Sequence, residues 1–130
     1  MSDILDTLAL SASGMKAQSS RLRHISENIS NVDTPGYRRK LVPFEQVRER
    51  DSGLDLVSAG HVRLDRTQLE RIHDPAHPMA DASGNYDGSN VNLLIEIADA
   101  RQAQRSYEAN LKMFDQARKM TSSLFELLRK

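Results

Sequence analysis

From residue 3 to residue 31 the apolar positions recur in alternating steps of four and three: Ile4, Leu8, Ser11, Met15, Gln18, Leu22, Ile25 and Ile29. Six of these eight are apolar, and Leu5 and Ala12 widen the stripe. The spacing predicts an amphipathic helix of about 27 residues, about 40 Å long at 1.5 Å per residue. Ser2 or Asp3 can cap its start. A second stripe runs through residues 91–128, a stretch with no Pro or Gly: Leu93, Ile97, Ala100, Gln104, Tyr107, Leu111 and Phe114 keep the same step. It then slips to Ala117, Met120, Leu124 and Leu127, which alters supercoiling without ending a helix. This predicts a helix of about 38 residues, near 57 Å, with Ser89 or Asn90 as its cap.

Between the helices the period changes. "KLVPFEQV" and "HVRLDR" read as short extended segments, and every proline lies in residues 35–78. The predicted fold is therefore mainly α. Two long terminal helices pack as an antiparallel coiled-coil-like pair (1–32 and 91–130), with a small irregular or β insert (33–90) between them. A two-helix pair buries only one narrow seam, and Ser and Gln at seam positions make it marginal alone. The remaining apolar surface then calls for cover from other copies.

Composition agrees. Of the 130 residues, 38% are hydrophobic and 5% aromatic, too few for a large core. Eighteen cationic and eighteen anionic side chains cancel, and no segment is basic enough to neutralise many phosphates, which argues against nucleic acid as a partner. Near-zero net charge suits self-association. There is no Cys, so disulfides, thiolate metal sites and Cys nucleophiles are excluded. The start, "MSDILDTLALSASGMK", is acidic where a secretory signal would be basic. Neither a cleaved signal nor membrane insertion is expected.

Candidate chemistry is sparse. His73 and His77 have i, i+4 spacing, but Pro75 and Pro78 oppose the helix that would make them a metal pair. The oxygen-rich stretch from Asp81 fails as a calcium loop. Tyr86 stands where Gly is needed and Asn92 where Glu is needed; starting at Asn85 puts Glu96 twelfth but Asn90 sixth. Asp33 and Thr34 near Tyr37 lack a base at workable spacing, and no nucleotide or hydrolase fingerprint is present. No catalytic residue, metal or cofactor is expected. "RRK" at 38–40 reads as a solvated edge or a contact to an acidic neighbour.

The sharpest local signal is "NISNVDTPGY" at 28–37. Asn31 can close the helix in a left-handed conformation. Thr34 is pushed out of the helical region by the following proline. Pro35 and Gly36 suit the centre of a type II turn. Tyr37 brings a ring to bury and a hydroxyl to satisfy. Together with Asn28 these residues make a hard corner between shaft and insert.

"SENISNVDTPGY" resembles the N-terminal signature of the flagellar rod and hook axial protein family, with Asn28 and Asn31 at its two Asn positions. "DPAHPMAD", "SNVNLLIEIADA" and "RSYEANLKMF" resemble the C-terminal half of a proximal-rod member, while 45–72 matches weakly. The resemblance implies a structural subunit of the proximal rod, the drive shaft that crosses the periplasm. It implies export by the flagellar type III apparatus without a cleaved signal. The implied partners are other copies of itself, other rod proteins, and the adaptor at the rod base and MS-ring junction. It also implies terminal helices that order on assembly. The expected assembly residues are Leu8, Met15, Leu22, Ile25, Ile29, Ile97, Tyr107, Leu111, Phe114, Met120 and Leu124. A coiled-coil adaptor for one helical partner, stably helical alone, and the sister short proximal-rod protein are the alternatives.

Overall fold

The structure is a computed structural model describing residues 2–129. Helix α1 spans Ser2–Ser30 and helix α2 spans Leu93–Arg129. They run antiparallel: Ile4 and Thr7 share a groove with Met113, Ala117 and Met120, while Arg21 bonds Gln102 and Asn28 bonds Glu96. This is the predicted helix pair. At 37 residues α2 is the longer, so its last turns run past Ser2.

The seam is built from small and polar side chains. Ser11 and Ala17 of α1 and Ala103 and Ala117 of α2 are buried, and among the described residues Ile25 is the one large buried hydrophobe. A Cβ on Gly14 would lie 2.7–2.8 Å from the Asn110 side chain, so glycine is what lets α2 approach there. On α2 the buried line runs Glu96, Ala103 and Ala117, with Asn110 in the same heptad position and half-buried. Ala100, Tyr107, Phe114 and Thr121 are half-buried beside it. That line is continuous through the helix, and the slip expected at Ala117 is absent. The expected stripe is corrected accordingly: Leu93, Ile97 and Leu111 lie off the seam and exposed, because position i+1 turns about 100° from position i.

The insert is more regular than expected. Six strands form three antiparallel two-stranded ladders: β1 (Lys40–Leu41) with β4 (Arg63–Leu64), β2 (Phe44–Arg48) with β3 (Asp55–Ala59), and β5 (Arg71–His73) with β6 (Asn85–Asp87). Val42 and Pro43 split the expected single segment in two, and β3, β5 and β6 were not anticipated. The β2–β3 hairpin turns at Gly53 (φ 68°) and lies along α1, where Val57 N donates to Ser13 Oγ at 3.4 Å.

Helix ends also differ in detail. Asp3 lies inside the first turn of α1, where its charge faces the positive helix end; the cap position itself lies outside the described residues. The cap of α2 is Asn92, whose Oδ1 accepts from Leu94 N at 3.0 Å and Ile95 N at 3.4 Å. Ser89 and Asn90 are committed elsewhere. Ser89 Oγ donates to Val32 O. Asn90 accepts from Arg39 N at 2.6 Å and donates to the carbonyls of Asp65 and Thr67 at 2.9 and 3.1 Å.

Candidate assembly interface

The corner forms as a type II turn. Gly36 has φ 74° and Tyr37 N donates to Thr34 O at 3.2 Å, with Pro35 at the first central position. Asn31 is not left-handed, since no described non-glycine residue has positive φ. It ends α1 with its side chain, donating Nδ2 to Glu27 O at 2.8 Å and accepting Thr34 Oγ1 at 3.0 Å.

Behind the corner lies a buried polar hub. Asn28 is 1% exposed and uses both ends of its amide. Nδ2 donates to Lys40 O at 3.0 Å and Glu96 Oε2 at 3.3 Å; Oδ1 accepts Tyr37 Oη at 2.8 Å and Lys40 N at 2.9 Å. Glu96 is fully buried and paired with Arg39 Nε. The same guanidinium reaches Asp99 Oδ2 at 2.8 Å and Asp65 Oδ2 at 3.9 Å. Lys40 Nζ meets Glu27 Oε2 at 2.7 Å, and this hydrogen bond holds the Glu27 carboxyl below the ordinary range and Lys40 above its own. Burial pushes the Tyr37 phenol up. A buried ion pair contributes little net stability over an apolar substitute, but losing one partner strands the other. A hub of this kind can serve as a specificity device, fixing where α1, the corner and α2 meet along a seam of interchangeable small residues.

Arg39 and Glu96 were not expected as a pair. The one signal was a carboxylate in the apolar run "LLIEIADA" and a basic triplet just past the turn. His77, considered above as a ligand, instead stacks on Tyr86 with centroids 3.8 Å apart, and His73 Nδ1 contacts Asn85 Oδ1 at 2.9 Å. Asp81 caps its turn, accepting Ser83 N and Asn85 N at 2.9 and 3.0 Å.

The expected assembly residues divide by exposure. Ile25 is buried within the chain. Leu8, Met15, Leu22, Ile29, Tyr107 and Phe114 are half-buried along the seam margins. Ile97, Leu111, Met120 and Leu124 are exposed, together with Leu93, Leu94, Ile95, Met113, Phe125, Leu127 and Leu128 on the same helix. Scattered surface hydrophobes are ordinary; α2 carries eleven exposed ones among the described residues, which makes it the candidate contact element. Sequence patterning, which ran through Leu124 and Leu127, did not single out Phe125 and Leu128, 53% and 77% exposed.

Two family models match the chain. Residues 8–38 match the one described as flagella basal body rod protein, and residues 82–127 the one described as flagellar basal body rod FlgEFG protein C-terminal. The chain is 42% identical to the flagellar basal-body rod protein FlgC of Agrobacterium fabrum, over 92% of this chain and 91% of that protein. It is 33% identical to FlgC of Aquifex aeolicus, over 97% and 98% respectively. With FlgC of Salmonella typhimurium the identity is 27%, over 90% and 92%. The chain belongs to the FlgC family of flagellar basal-body rod proteins. The two matched regions meet in the hub: Asn28 and Tyr37 come from the first, Asn90, Glu96 and Asp99 from the second. Most of the three-ladder insert lies between them.

Proposed function

We propose that this chain is a structural subunit of the bacterial flagellar basal-body rod and that its terminal helices assemble it. Its role is mechanical rather than catalytic. Helix pairs from successive copies and from other rod proteins pack side by side into a helical tube, a heterologous contact that propagates instead of closing. Torque passes along the tube because interlocked side chains do not slide. The carrying observation is the set of large apolar side chains on α2 that the monomer leaves exposed, outside its own small-residue seam. Leu8, Met15, Leu22 and Ile29 on α1 and Ile97, Tyr107, Leu111, Phe114, Met120 and Leu124 on α2 supply the inter-subunit contacts. Asn28, Asn31, Thr34, Pro35, Gly36 and Tyr37 set the angle at which the insert leaves the shaft. The rod-base adaptor at the MS-ring junction and the type III export apparatus complete the partner set, with export unprocessed across the periplasm.

Leu111→Asp tests this reading. Leu111 is 39% exposed in the monomer, so a carboxylate there spares the fold while wetting the contact. Cells carrying it export the subunit and build no rod. A complete rod from that variant would overturn the assignment of Leu111 to the interface.

A further inference from the structure

The insert carries two patches of opposite charge that do not satisfy each other within the chain. One is the β1–β4 edge. Residues 38–41 and 63–66 hold five cationic side chains and a single acidic one. Arg39 and Lys40 are neutralised by Glu96, Asp99 and Glu27 from the helices. Arg38 donates only to the backbone carbonyls of Asp65 and Thr67, at 3.2 and 3.1 Å. Arg63 and Arg66 have no carboxylate within ion-pair distance among the described residues. These three arginines line a groove with Leu41, Leu64 and the lone carboxylate Asp65, which Arg39 also reaches at 3.9 Å; Leu64 is 55% exposed.

The other is the β5–β6 wing. Residues 70–87 hold four carboxylates, Glu70, Asp74, Asp81 and Asp87, against the one cation Arg71. Arg71 is clamped between Asp81 at 2.9 Å and Asp87 at 3.0 Å, which leaves the wing acidic. The wing also presents Met79, 63% exposed. It is tied to the corner backbone through Gly36 N, which donates to Asp87 O and Gly88 O at 3.1 Å each, and not to the β1–β4 ladder. No ion pair joins wing to edge among the described residues.

We infer that the Arg38–Arg63–Arg66 edge of one copy receives the acidic β5–β6 wing of a second copy of this chain, with Leu64 and Met79 supplying apolar contact. The patches differ, so the contact is heterologous and repeats around a tube. Opposed charges steer the encounter and penalise wrong registers, whereas the apolar helix faces provide affinity with little selectivity. The inference rests on the rod-subunit reading and specifies the insert-to-insert contact within it.

A charge swap in the full-length chain tests it, by rod formation in cells lacking the native gene. Arg63→Glu with Arg66→Glu gives a copy acidic on both patches; Glu70→Lys with Asp87→Lys gives one basic on both. All four positions are exposed. Each paired swap alone keeps the parent's helical circular dichroism and weakens association about tenfold or more, so rods fail. The chain with all four changes restores them. Normal rods from either paired swap would overturn the contact, as would a folded four-fold variant that builds none. The rod-subunit reading fails separately, if cells without the gene still build rods.

Discussion

The side-chain amide of Asn28, in the last turn of α1, donates to the carboxylate of Glu96, in the first turn of α2, across 3.3 Å and 68 residues of chain. Both groups are essentially inaccessible to water. The whole insert is a loop closed by this contact, and its energetics are open to direct measurement.

Asn28→Asp keeps the shape of the side chain and removes both of its N–H donors. It sets a second carboxylate against Glu96 and leaves Lys40 O without its donor. The expected cost is about 2–4 kcal/mol, larger than for Asn28→Ala, because charge repulsion adds to the lost bonds. Urea denaturation of the two variants beside the parent measures the order; equal losses would show that the cost lies in packing alone.

Glu96→Ala strands the Arg39 guanidinium with Asp99 as its main partner and costs about 3 kcal/mol. Replacing Arg39 and Glu96 together by Met and Leu recovers most of that. The double variant folds with comparable stability but loses the marker of helix register. Disulfide trapping between cysteines placed at positions 14 and 110 then shows mixed registers, where the parent background shows one.

Gln18 occupies a seam position with Oε1 buried and without a donor among the described residues. Gln18→Met fills the same volume without an unsatisfied acceptor. About 1 kcal/mol of added stability is expected, a rise of about 3–5 °C in the thermal midpoint. A lowered midpoint would mean that a water or a neighbouring subunit satisfies that oxygen.

Gly14→Leu should act in the opposite direction. The side chain would have to occupy space held by the Asn110 amide, so the helices must part, at about 1–3 kcal/mol. Gly14→Ala combined with Asn110→Ala separates the two effects: it gains helix propensity and removes the clash, and its melting temperature exceeds that of Gly14→Ala alone.

Acid sensitivity follows from Glu27. Its hydrogen bond to Lys40 lowers the folded pKa below the 4.5 of a free glutamate. The unfolded chain therefore binds the proton first as pH falls. The stabilisation is fully present above 4.5 and is lost as pH drops through the lowered folded value. Asp65 and Asp81, held low by hydrogen bonds from Thr67 and from the Asn85 backbone, steepen the same limb. Lys40→Met flattens it. Stability measured against pH in both chains reads the difference directly.

Both helices and the corner were legible in the sequence because each rests on a local rule: a four-three step, an Asn ending, a Pro-Gly turn. The register of α2 was not. Hydrophobicity selects the bulky residues Ile97 and Leu111, but the seam is made by Ala103, Asn110, Ala117 and the charged Glu96, whose merit is being small or paired. A face proposed to meet other subunits carries the same apolar pattern as a core. Strands β3, β5 and β6 escaped because each is only three to five residues long and gains its partner through tertiary docking. Asn90 looked like a helix cap because its role, tying Arg39 to Asp65 and Thr67, joins segments distant in sequence. The hub was half visible, as Asn28 and Tyr37, with its ionic half concealed in an apolar run.

The thinness of the seam inverts the usual meaning of a mutational map. In most domains the residues intolerant of change are the large ones within. Here small residues such as Ala103 and Gly14 let the helices close, while Ile97, Leu111, Met113, Met120, Leu124, Phe125 and Leu128 lie outside the seam. A screen for soluble, folded protein would pass almost any polar replacement of those bulky groups, and some would improve solubility. On the proposed assembly a screen for swimming rejects the same replacements, so the distance between the two outcomes, position by position, outlines the proposed contact surface.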